Sequence, residues 1–135
     1  MATENTLRLR DAALSGTIAL PNAANTACTT VIDMEAATPF VASRTCIARI
    51  TTTLATGANS LNINVVYQDS ADNITFANIP ELSVLTIAGN ATKYPANTRN
   101  VILPPSTRRY LRAAATGEAN GGNSSDGTLT IDLLF

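Results

Sequence analysis

Histidine and tryptophan do not occur in this 135-residue chain, and its three Tyr and three Phe amount to only 4% of the sequence. Without histidine, the commonest general base, the commonest metal ligand and the side chain that titrates near neutral pH are all missing. Any catalysis would rest on carboxylates. For the two close acidic pairs, Asp33 with Glu35 and Asp69 with Asp72, the sequence shows no activated nucleophile or base in a cleft. So few rings, some of them needed by a core, also leave little for an aromatic platform of the kind that stacks on sugars. Charged residues are 14% of the chain and nearly cancel, ten acidic against nine basic, for a net charge of -1. Nonspecific nucleic-acid binding needs a basic excess to displace counterions, so nucleic acid is not an expected partner.

Cysteine is equally sparse. Cys28 and Cys46 lie eighteen positions apart without a C-x-x-C spacing, which leaves no zinc or redox motif. Both are expected as reduced, buried thiols acting as small apolar side chains. No cofactor, metal or small-molecule substrate is implied. No apolar run approaches the ~20 residues of a membrane span, and "MATENTLRLR" lacks the basic-then-apolar order of a signal peptide. A soluble product made in the cytoplasm, with no membrane partner, is the expectation.

What is present is β-forming sequence. The length suits one domain, since domains cluster around roughly 100 to 150 residues. "GTIAL", "CTTVIDM", "TCIARITTTL", "LNINVVY", "LSVLTIAG", "NVILP", "RRYLRAAAT" and "GTLTIDLLF" are short, rich in Thr, Ile and Val, and separated by Gly, Pro, Asn, Asp or Ser. Eight such segments predict an all-β, single-domain, jelly-roll-like β-sandwich over residues 14–135. Residues 1–13, where Leu7 and Leu9 alternate with Arg8 and Arg10, read as an extended N-terminal arm. No helical pattern exceeds a turn; Glu35 to Ala37 is too short.

Alternation assigns faces. Cys46, Ala48, Ile50, Thr52 and Leu54 share the more apolar face of their segment, opposite Ile47, Arg49, Thr51 and Thr53. Cys28, Thr30, Ile32 and Met34 form the matching set of theirs, so both cysteines are expected to point into the core. The Gly-containing "ATGANS", 55–60, predicts a hairpin joining the strands on either side. In "QDSADN", 68–73, two aspartates raise a calcium reading, but a calcium loop needs six or more oxygens in a set pattern. Turn capping by side-chain oxygens is the simpler role. "EANGGNSSDG", 118–127, reads as a surface loop, and three N-x-S/T sequons carry no meaning without a secretory signal.

Three of the nine basic residues crowd into "ILPPSTRRYLRAAATG", 102–117. Pro104 and Pro105 stop one strand and set the entry of the next. Beyond them Leu111, Ala113 and Ala115 share a face, with Arg109 at its edge, and Arg108, Tyr110 and Arg112 share the other. This outward ladder has two readings: arginines paired with cross-strand carboxylates around a packed Tyr, or a contact surface, since Tyr and Arg are enriched at interface hot spots.

The order of "LRLRDAALSGT", "VIDM", "NVVYQDSADNITF", "ELSVLTIAGN" and "VILPPSTRRYLRAAATGEANGG" resembles the capsid cement, or decoration, proteins of tailed bacteriophages over almost the whole chain. Its most specific element is the pairing of Val66–Phe76 with Leu103–Arg112. The resemblance implies a non-enzymatic jelly roll on the outer surface of the virion that bridges neighbouring major capsid protein subunits, as a homo-oligomer, dimer or trimer. It implies a contact surface formed by Arg108, Tyr110 and Arg112 together with Leu7, Arg8, Leu9 and Arg10 of the arm. A phage tail or neck structural protein and a carbohydrate-binding jelly roll are the alternatives.

Overall fold

The computed structural model describes residues 14–21, 25–34, 47–55, 62–88, 95–104, 106–117 and 126–134. They build β1 (Ser15–Ala19), β2 (Thr26–Cys28), β3 (Ile32–Asp33), β4 (Ile47–Thr52), β5 (Ile63–Ser70), β6 (Ala77–Asn78), β7 (Leu85–Ile87), β8 (Asn97–Ile102), β9 (Tyr110–Gly117) and β10 (Thr128–Leu134). No α-helix occurs among the described residues. The arm at 1–13, with Leu7, Arg8, Leu9 and Arg10, lies outside them, as does Cys46.

One sheet has the order β1-β10-β4-β8 and the other β2-β9-β5-β6, with β3 also on β9 and β7 also on β5. Every pairing is antiparallel. Since β5 covers all of β9 on one side, β2 and β3 share the other; β6 and β7 likewise share the free side of β5. Counted as single interrupted rows, they make each sheet four rows wide. In chain order the rows then lie 1-8-3-6 and 2-7-4-5, which is the jelly roll of two interlocked Greek keys. Consecutive rows change sheet everywhere except at the hairpin from β5 to β6. The hairpin expected at 55–60 is therefore not formed. β4 is enclosed between β10 and β8, so the chain leaving it has no free edge to fold back on and crosses to β5 in the opposite sheet.

The core lies between the sheets, and strict alternation fills it. Ala48 and Ile50 of β4, with Leu129, Ile131 and Leu133 of β10, face Ile63, Val65 and Tyr67 of β5 and Leu111, Ala113 and Ala115 of β9. Leu54, expected among them, is 48% exposed, because β4 ends at Thr52 and its alternation ends there too. Tyr67 crosses the core: its hydroxyl donates to the Ala48 carbonyl (3.2 Å) and, more weakly, to that of Arg99 (3.5 Å). Burial holds the phenol proton on, raising its pKa to about 12. This contribution to stability is complete below the ordinary tyrosine pKa of ~10 and is lost as pH rises through about 12. Tyr67→Phe is expected to lower the unfolding free energy by ~1 kcal/mol in a urea titration and to flatten the alkaline limb of the stability profile.

Cys28 does not point into the core. It is half-buried and pairs with Ala114, which shares the outer face with Arg112. The cause is a bulge. β2 and β3 are both registered on β9, but Cys28 pairs with Ala114 whereas Ile32 pairs with Leu111, so four steps along one strand meet three along the other. The extra residue inverts the alternation, and Thr29 is buried where Cys28 was expected.

Candidate functional site at the β5 and β9 corner

Two turns, far apart in sequence, meet at one end of the second sheet. In the first, β8 ends before Pro104, whose carbonyl accepts both the amide (3.0 Å) and the hydroxyl (2.7 Å) of Thr107. This carries the chain from one sheet to the other and delivers Arg108 to the end of β5. In the second, Ser70 Oγ accepts the amides of Asp72 (3.2 Å) and Asn73 (3.1 Å) and donates to Asp72 Oδ1 (2.8 Å). Asp72 Oδ1 in turn accepts the amides of Ile74 (2.9 Å) and Thr75 (3.0 Å). Asn73 takes the left-handed backbone conformation, φ 61°, that asparagine tolerates.

Those amides hold the Asp72 carboxyl down at about 2. A depressed carboxylate stabilises the turn above its unfolded pKa, near 3.9, and loses that contribution as pH falls through about 2. The amide shifts of Ile74 and Thr75 are therefore expected to titrate with a midpoint near 2 in NMR spectra, well below an ordinary aspartate. Both aspartates of the loop thus serve hydrogen bonds within the chain. Among the described residues no group of three or more His, Cys, Asp or Glu is placed to hold a metal ion.

Asp69 is the clamp between the turns. Its nearly buried carboxylate accepts the Arg108 amide (2.9 Å), Nε (3.0 Å) and a terminal guanidinium nitrogen (2.7 Å), and that nitrogen also reaches the Asp69 carbonyl (2.9 Å). The hydrogen bonds to Asp69 raise the Arg108 pKa further. Arg112 lies one pair along: Nε donates to Gln68 Oε1 (2.9 Å), and the guanidinium sits 3.9 Å above the Phe76 ring centroid. Tyr110 stands half-buried on the outer face between Asp33 of β3 and Ser70 of β5. Arg109, expected at the edge of the core, swings outward to pair with Asp33 (2.7 and 2.9 Å), its guanidinium 5.1 Å from the Tyr110 ring centroid. It lies before the first residue of β9, where the alternation does not yet bind it.

Tyr110 and Arg112 share the outer face as expected, whereas Arg108, which like Arg109 precedes β9, does not join them: it is held by Asp69, which pairs with the buried Leu111 and so lies on the core-facing side of β5. Both arginines of the set have partners within the fold. What they frame is a surface of Tyr110, the Arg112–Phe76 stack and Ile74, which is 82% exposed at the tip of the turn. Sequence reasoning missed Asp69 as the clamp and Ile74 and Phe76 as part of the surface. The available signal was that both segments stood out in the same resemblance.

The outer face of the first sheet differs. Thr17, Thr130, Thr51 and Thr98 form one cross-strand row, and Ser15, Asp132, Arg49 and Asn100 the next. Arg49 pairs with Asp132 (3.2 Å), which also accepts the Ser15 hydroxyl (2.6 Å). Arg49, Thr51, Thr98, Thr130 and Asp132 line a shallow cleft of about 340 Å³. Each of the four strands contributes a single threonine to the row, so no single segment advertised it.

No protein-family model matches the chain, and no curated protein matches it. Among solved structures it is similar to a "Family 16 Carbohydrate Binding Module-2", at 12% identity and a TM-score of 0.37, over 89% of this chain and 76% of that one. A likeness this slight carries no inference about function.

Proposed function

We propose that this jelly roll is a non-enzymatic virion protein, made in the host cytoplasm, that binds the outside of an icosahedral phage head and cements neighbouring major capsid subunits. The observation that carries the reading is spatial: Val66–Phe76 and Leu103–Arg112, the two segments most specific to the decoration-protein resemblance, form one corner locked by Asp69 and Arg108. A cement needs no catalytic group. It needs a rigid scaffold holding a contact surface, and the corner offers an aromatic, an arginine stacked on a second ring, and an exposed isoleucine. A protein that binds the assembled shell better than dispersed subunits stabilises the shell by mass action, and repetition over a lattice multiplies weak contacts.

The test is co-sedimentation of the purified chain with expanded heads that lack it. Tyr110→Ala is expected to bind on the order of 30-fold more weakly per site, the equivalent of about 2 kcal/mol, while shifting monomer stability by less than ~1 kcal/mol. Unchanged decoration by Tyr110→Ala would remove the corner from the contact. A second reading, a carbohydrate-binding jelly roll, draws on the hydroxyl-lined cleft at Arg49 and Asp132; calorimetric titration with oligosaccharides decides it, and no heat of binding eliminates it.

A further inference from the structure

The four edges of the sandwich are not alike. β2 with β3 is broken by the bulge, and β6 with β7 by the 79–84 excursion that begins at Ile79 and Pro80. At β1 the amide of Thr17 is met by Thr30 Oγ1 (3.3 Å), and a Cβ on Gly16 would collide with the Thr30 carbonyl, so the neighbouring chain lies directly against that edge. Interruption and covering are the usual ways of keeping an edge from pairing. Among the described residues β8 shows neither: it runs six residues, Asn97–Ile102, registered along its full length on β4, and no other described strand pairs with it. Its one charge, Arg99, does not guard the edge, because the guanidinium turns away to the Ser83 carbonyl (2.8 Å) and hydroxyl.

We infer that β8 pairs antiparallel with β8 of a second copy, joining two four-stranded sheets into one of eight strands. The capsid resemblance leaves dimer or trimer open and names no interface between copies; the inference commits to two copies joined at β8, and it does not depend on that reading. Which groups face outward follows from Asn97, whose amide donates toward β4, to Thr52 Oγ1 (3.1 Å). By the alternation of an antiparallel ladder, Asn97, Arg99 and Val101 turn their main-chain groups to β4, and Thr98, Asn100 and Ile102 turn theirs outward. The Arg99 carbonyl fits this assignment, since it approaches the Tyr67 hydroxyl beneath β4 and β8.

A twofold axis perpendicular to the sheet keeps each face on its own side, and this allows two central registers. Centred on Asn100, the axis sets Thr98 opposite Ile102 of the second copy, Asn100 opposite Asn100, and Ile102 opposite Thr98. Every outward main-chain group then has a partner, and no like charges face one another. Centred on Arg99, the arginines oppose each other and Ile102 is left over. The first register also covers Ile102, which is 65% exposed in the single chain, with the methyl of Thr98. The occupant that β8 fits is therefore its own copy.

Cysteine cross-linking reads the register directly. In a background with Cys28 and Cys46 replaced by alanine, Asn100→Cys is expected to form a covalent dimer under mild catalysed oxidation. Thr98→Cys and Ile102→Cys should each stay monomeric alone and link when mixed. Sedimentation velocity of the unmodified chain should give a two-chain species. Asn100→Pro, which deletes an outward donor, and Ile102→Lys should each return it to one chain, with the β-type circular dichroism of Ile102→Lys retained. A single-chain or three-chain species for the unmodified protein overturns the inference. So does a dimer that survives Ile102→Lys, or one in which Thr98→Cys links to itself and Asn100→Cys does not. Head binding is read in a separate assay, so loss of dimer and loss of decoration are told apart.

Discussion

Leu111→Ala is expected to destabilise the isolated domain by about 2 to 5 kcal/mol, the largest effect of any single truncation in β9. Leu111 is fully buried, flanked by Ile32 on β3 and by Asp69 on β5, and belongs to the core cluster shared by both sheets. Its removal takes apolar surface out of the core and leaves a cavity. The surrounding strands cannot collapse into it easily, because β9 is held on both sides along its length. Urea unfolding monitored by circular dichroism measures the loss. Tyr110→Ala, one position away on the opposite face, is the internal comparison and should barely move the midpoint.

Arg108→Ala is the second large effect, and it acts through charge. Asp69 is 6% exposed and relies on Arg108 for its side-chain partners. Removing one member of a buried ion pair costs roughly 3 to 5 kcal/mol. The guanidinium here is 41% exposed, so solvent screens part of the interaction and about 2 to 3 kcal/mol is expected. The carboxylate left behind still receives the amide of residue 108, which limits the loss further. Because the pair joins β5 to the segment entering β9, the variant should also speed hydrogen exchange at both turns. Arg108→Lys is expected to recover only part of the stability, since an ammonium cannot supply the Nε and terminal donors in the same fork.

The parts of the fold legible in the sequence are those governed by period-two alternation. Ala48, Ile50 and Thr52, and likewise Leu111, Ala113 and Ala115, are buried where alternation places them. The strands themselves follow from runs of Thr, Ile and Val between turn residues. What alternation cannot carry is a change of phase or of sheet. The bulge after Cys28 adds one residue and inverts a face, and nothing in "CTTVID" marks it, because Thr29 and Thr30 serve equally well buried or exposed. The crossing from β4 to β5 depends on which strands already occupy the edges of β4, a property of the whole topology. At the site, the outward placement of Tyr110 and Arg112 was readable from β9 alone. The Asp69–Arg108 clamp joins residues 39 positions apart, and only the folded chain brings them together. Arg109 misled because alternation was extended one residue before the strand begins.

The most direct test of the proposed cementing role is a density map of phage particles assembled in the presence of this chain. The account predicts a regular array outside the shell, with each jelly roll turning Ile74, Phe76, Tyr110 and Arg112 toward the junction between neighbouring capsid subunits. Density for the chain in the tail or neck, or an array on the head in which that corner faces solvent, would contradict it.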